Sequence, residues 1–201
     1  MVEFSSRHYV NTLSLTSRYK ILISPLERIE DPLLLSIQKE TTALFGFQTR
    51  ISSLFKHLDF AYSPERNQYN STTILQQLAQ KLPREFIKVL GVTKVDLYIP
   101  VLTHVYGEAQ LQGSASLIST YRLSENLCTE GPGEHFRKRA IKESLHELGH
   151  CFNLKHCKEP SCTMHYCRST YDVDQKANRL CRYCQVFMQD ELKRLSREPG
   201  G

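Results

Sequence analysis

The chain has 201 residues, enough to bury a sizeable core without disulfides, and its 40% apolar and 23% charged residues are those of a soluble globular protein. No apolar stretch approaches the roughly 18 residues that a membrane helix needs, and the N-terminus MVEFSSRHYVNTLSLTSRYK lacks the apolar run of a secretory signal, so a cytoplasmic protein with no membrane partner is expected. The net charge of +5 is spread along the chain; its one cluster, Arg137-Lys138-Arg139, has no nucleic-acid-binding signature beside it and reads as a solvated helix face, so no nucleic acid partner is expected.

In chain order, residues 19–25 (YKILISP) read as a first buried strand. Asp31-Pro32 supplies an N-cap and a first-turn proline, and Gly46 a stop, which predicts a helix over 32–45. Phe47 to Phe55 reads as a second strand and 60–70 as a polar, turn-rich segment. Asn70 or Ser71 caps a helix that carries Ile74, Leu75, Leu78 and Leu82 on one face and ends before Pro83. Val95, Leu97 and Ile99 alternate with Asp96 and Tyr98, the pattern of a strand with one buried face. Two further strands, 105–111 and 114–121, are joined tightly at Gly113. After the breaker Thr129-Glu130-Gly131-Pro132-Gly133, a helix over about 134–152 buries Ile141, Leu145, Leu148 and Phe152. A last helix from about Cys184 places Met188, Leu192 and Leu195 on one face. The expected layout is α/β, a single domain over 1–201 with its chemistry near the C-terminus.

That chemistry begins with His146-Glu147-Leu148-Gly149-His150. Residues four apart on a helix lie one turn above each other, so both histidines can reach one zinc ion. Glu147 sits where its carboxylate can take a proton from a zinc-bound water, as a catalytic base. A third ligand six residues after His150 requires the chain to leave the helix and swing back, usually through a left-handed glycine. Asn153 stands at that position; asparagine is the non-glycine residue best able to adopt positive φ, and His156 then falls where the third ligand belongs. Seven cysteines, an odd number, argue against a closed disulfide framework, and six of them follow residue 150. Cys157, Cys162, Cys181 and Cys184 form two close pairs suited to a structural zinc; Cys167 is the rival for one ligand place, and Cys128 and Cys151 read as core thiols.

The spacing HExxHxxNxxH resembles that of the metzincin clan of zinc peptidases, and Cys162-Thr163-Met164 resembles its methionine turn. With Cys157 after the third histidine and Cys181-Arg182-Tyr183-Cys184 closing the pattern, residues 146–184 resemble the archaemetzincin family signature HExxHxxGx3Cx4CxMx17CxxC. Two departures are visible: Asn153 replaces glycine, and sixteen residues rather than seventeen separate Met164 from Cys181. The resemblance implies a zincin-like domain, with a twisted mixed sheet flanked by helices and a cleft above the active helix. It implies two zinc ions, one catalytic on His146, His150 and His156 and one structural on the four cysteines, with Met164 as an apolar floor. The expected function is a zinc metallopeptidase, of the endopeptidase or aminopeptidase type, that takes a peptide or protein substrate as an extended strand and works as a monomer. The alternatives are a scaffold without turnover and a zinc-stabilised module binding peptide or nucleic acid. Tyr166 is expected to pack or lie on the surface, and His104 and His165 are not expected to be ligands.

Overall fold

The computed structural model describes residues 15–124 and 133–197. Its central sheet has five strands in the order β2-β1-β5-β9-β8: β1 (Lys20–Pro25), β2 (Gln48–Ile51), β5 (Phe86–Thr93), β8 (Gly107–Ala109) and β9 (Ala115–Ser119). The first four in that order run parallel, and β8 is antiparallel to β9 at the edge. A smaller sheet, β3-β4-β6-β7, is built from β3 (Tyr62–Ser63), β4 (Gln68–Asn70), β6 (Leu97–Ile99) and β7 (Leu102–Val105).

The central strands are apolar on both faces because both faces are covered. Ile21, Ile23, Leu90, Val92 and Ile118 join one core with α1 (Asp31–Phe45), α3 (Glu134–Cys151) and α5 (Arg182–Arg197). Leu22, Val89 and Leu117, one residue out of phase, join the other with α2 (Ser71–Lys81). Phe152, just past α3, stacks on Phe45 and Phe47 with centroid separations of 5.0 and 5.6 Å, which fixes the C-terminal end of α3 in the first core. This mixed α/β architecture, with its sheet flanked by helices, is the expected fold class.

Several local expectations change. The N-cap of α1 is Glu30, with no side-chain cap bond, so Asp31 is its first residue; Gly46 ends the helix at φ 77°. The second strand covers only 48–51, because Ser53 turns back onto the Phe55 carbonyl and the Leu54 N–H leaves to bond Ser24 Oγ. The segment 60–70 contains the β3–β4 hairpin, and β7 was not anticipated. Asn70, not Ser71, caps α2, accepting from the Thr73 N–H at 3.0 Å. The largest omission is β5, the central strand. Arg139 is not solvated: it is buried and binds Asp174 through two bonds of 2.8 and 2.7 Å, which ties α3 to the short helix α4 (Thr170–Gln175). The expected breaker lies mostly, and Cys128 wholly, outside the described residues.

Candidate metal centres and active-site cleft

Helix α3 carries His146, Glu147 and His150 on the side that faces β8 and β9. It ends in a Schellman motif: the Asn153 N–H bonds the His150 carbonyl at 2.9 Å and the Leu154 N–H bonds the Gly149 carbonyl at 3.0 Å. Asn153 has φ 61°, the left-handed conformation expected from the sequence. The chain thereby reverses and brings His156 back to the first two imidazoles.

These three residues bring a ligand nitrogen each within 4.8 Å of one another. Tetrahedral zinc with Zn–N bonds of about 2.0–2.1 Å requires nitrogens about 3.3 Å apart, and His146 Nε2 and His150 Nε2 stand 3.2 Å apart. Both rings are oriented by backbone carbonyls, His146 Nδ1 donating to Thr163 O at 2.8 Å and His150 Nδ1 to Leu154 O at 2.7 Å, which leaves each Nε2 lone pair for a metal. Burial lowers the pKa of all three imidazoles, that of His150 to about 4, so they are neutral and ligand-competent near pH 7. Glu147 is buried beside them. Burial, and then the neighbouring Glu143 carboxylate, hold it well above the usual carboxylate range; a dication in the site acts in the opposite sense.

The four cysteines Cys157, Cys162, Cys181 and Cys184 also bring their sulfurs within 4.8 Å of one another. Four sulfurs at about 2.3 Å from zinc lie about 3.8 Å apart, and Cys157 Sγ and Cys181 Sγ are separated by 3.7 Å. The donor set fits a closed tetrahedral site. Cys167 stands outside it and lines the cleft; Cys151 is a buried thiol that bonds the Ala115 carbonyl at 3.2 Å, and burial pushes its pKa up to about 12. His104 and His165 belong to neither group, and His165 Nδ1 bonds the Cys157 carbonyl at 3.0 Å. Tyr166 is exposed, with its ring 4.9 Å from that of His156.

A cavity of about 460 Å³ opens over the histidines. Its lining includes Gly107 and Glu108 of β8, Leu102 and Thr103 of β7, and Tyr166. Gly107 faces Glu147 so closely that a Cβ there would stand 2.7 Å from Glu147 Cγ and 2.6 Å from the Leu117 carbonyl. Met164 Sδ packs so tightly against Gly149 of α3 that a Cβ at 149 would collide with it. Glu143, one turn before Glu147, forms a buried 2.6 Å ion pair with Lys176.

The profile of Peptidase family M54 matches residues 56–190. The archaemetzincin of Methanocaldococcus jannaschii is 37% identical over 175 residues, covering 85% of this chain and 93% of its own. The chain belongs to the archaemetzincin family. Among solved structures, the archaemetzincin of Methanopyrus kandleri superposes with a TM-score of 0.77 at 29% identity, covering 88% of this chain and 97% of its own. That of Archaeoglobus fulgidus, in complex with malonate, gives 0.71 at 34% identity, covering 84% and 99%. Against the family signature, Asn153 keeps the turn that glycine makes, as its φ shows. Sequence reasoning missed Glu108, Glu143 and Lys176. For Glu143 a signal existed, since it lies one turn before Glu147 on the same face of α3; Glu108 and Lys176 carry none in the linear pattern.

Proposed function

We propose that this archaemetzincin hydrolyses peptide bonds of peptide or protein substrates, acting as a monomeric cytoplasmic domain over 1–201. Its catalytic zinc is held by His146, His150 and His156 over Met164, and its structural zinc by Cys157, Cys162, Cys181 and Cys184. The observation that carries this reading is the placement of Glu147: a buried carboxylate adjoins three converging imidazoles and faces an edge strand. A purely structural site has no use for a base beside an open ligand position.

Zinc, when bound by the histidines, supplies Lewis acidity, polarising a carbonyl and lowering a water's pKa toward about 7. Glu147 then takes the proton of the attacking water and returns it to the departing amine. Its burial favours the protonated form, which suits the second of these tasks. β8 ends the sheet, so its outer side is open to an extended substrate as an added strand. Internal and N-terminal bonds can both lie along such an edge.

The test is Glu147→Gln, which keeps size and hydrogen-bonding shape but removes basicity. The variant should retain zinc and bind peptide hydroxamates, while hydrolysis of a broad library of unstructured peptides near pH 7 falls by roughly 10²–10⁴. Equal cleavage by both proteins sinks the role of Glu147; a zinc-loaded parent that cleaves nothing favours the binding-module reading.

A further inference from the structure

Glu108 sits on the edge strand β8, one residue beyond Gly107, and its side chain lines the cleft. One strand residue advances about 3.4 Å, and Gly107 is packed directly against Glu147. Successive residues of a strand point to opposite faces, so position 107 faces Glu147 while the Glu108 side chain faces the start of α2. Both border the same cleft, and the Glu108 carboxylate lies outside the group of atoms that could bind the metal. Ser71 Oγ donates to its Oε2 at 2.5 Å, and Thr72 Oγ1 donates to its Oε1 at 2.9 Å. Both hydroxyls stand at the start of α2, where the helix dipole also favours a negative charge. The two hydroxyl protons leave about half of the capacity of an ionised carboxylate, which accepts about four hydrogen bonds.

Other carboxylates of the protein show what is missing. Asp96 is paired with Arg122, Asp174 with Arg139 and Glu143 with Lys176. Among the described residues, no lysine, arginine or histidine forms an ion pair with Glu108. Elsewhere in the cleft lining, Arg168 is turned toward Tyr166, 6.0 Å from its ring centroid, and the His104 ring lies 3.3 Å from Thr103 Oγ1.

We propose that Glu108 is a substrate subsite, in the same cleft as Glu147 and the three histidines, for a positively charged group of the substrate. The group is an ammonium or guanidinium, either the substrate's own N-terminus or a lysine or arginine side chain. It would complete the hydrogen bonds of the carboxylate and supply the absent countercharge. The proposal rests on the peptidase reading above and assigns that cleft a substrate class.

Three hydroxamates test it by calorimetry on the zinc-loaded protein: norleucine hydroxamate with a free amine, N-acetyl-lysine hydroxamate, and neutral N-acetyl-norleucine hydroxamate. At least one cationic probe should bind about tenfold tighter than the neutral one, the worth of a charge-assisted hydrogen bond; which one identifies the source of the charge. Glu108→Gln, which keeps an acceptor for Ser71 and Thr72, should bring all three affinities together without changing the melting temperature. Equal affinities in the parent overturn the proposal while leaving the peptidase reading intact. So does a Glu108→Gln variant that weakens all three alike, which would make Glu108 only a tie between β8 and α2. Binding of none of the three by the zinc-loaded parent overturns both readings.

Discussion

The Nδ1 of His146 lies 2.8 Å from the carbonyl oxygen of Thr163, so the first imidazole of the helix is aimed by the residue preceding Met164. The turn around that residue is itself held by the cysteine-rich segment: the Thr163 N–H bonds the Arg179 carbonyl at 3.0 Å, the Cys157 N–H bonds the Met164 carbonyl at 2.8 Å, and the His165 N–H bonds the Cys162 carbonyl at 2.9 Å. The cysteine cluster thus supports the orientation of a histidine in the other centre. Cys181→Ser is expected to lower folded yield and also weaken zinc at the histidines, whereas His150→Ala should empty that site and leave the fold largely intact. A chelator should strip the histidine site first, because the cysteine site is closed. Zinc content and melting temperature of both variants check this; equal unfolding contradicts the division of roles.

Asn153 holds φ 61° in the turn that returns His156. Asn153→Gly should be neutral or mildly stabilising, while Asn153→Val, which resists positive φ, should cost about 1–2 kcal/mol, largely as weaker zinc binding. Competition with a chromophoric chelator measures it, and unchanged affinity in the Val variant places the critical turn elsewhere.

Gly107→Ala should act on the base rather than on the metal. The added Cβ would meet Glu147 Cγ at 2.7 Å and the Leu117 carbonyl at 2.6 Å, so the carboxylate or the strand has to move. A displacement approaching 1 Å costs about 10² in rate. The expected outcome is a loss of that order in kcat/KM with zinc content retained; full activity shows that the contact is relaxed without consequence.

Stability should fall in acid through Asp174. Its hydrogen bond to the Arg139 guanidinium holds the carboxyl below the usual aspartate range, despite opposition from partial burial. A carboxyl whose folded pKa is depressed contributes stability that is present above its unfolded value of about 3.9 and lost as pH falls through the lower folded value. Asp174→Asn should cost about 3 kcal/mol at pH 7, because it removes the carboxylate that forms an ion pair with the buried Arg139. Its melting temperature should also lose less than the parent's between about pH 5 and about pH 2, which brackets the unfolded value of about 3.9. Parallel pH curves for the two proteins rule out this pair as a source of the acid sensitivity.

Both groups of converging side chains were legible in the sequence, the histidines through local spacing and the cysteines through their clustering after residue 150. The spacing of His146 and His150 places them one turn apart, Asn153 reverses the chain, and His156 and Cys157 follow within a few bonds. Helices α1, α2, α3 and α5 were legible through caps, stops and apolar spacing. The central strand β5 was not, since Phe86–Thr93 is buried on both faces and so shows no alternation. Nor was Arg139 seen as buried, because its partner Asp174 lies 35 residues away. The cleft itself belongs to the tertiary structure alone. Gly107 meets Glu147, Glu143 meets Lys176 and Glu108 meets Ser71 only once the sheet has brought β8 beside α3 and α2. The sequence by itself determined which side chains are candidates to hold metal or to carry a proton, because that depends on side-chain chemistry and on spacing along the chain. Only the tertiary structure decided what stands across from them, because local periodicity marks which face is buried and not which distant segment covers it.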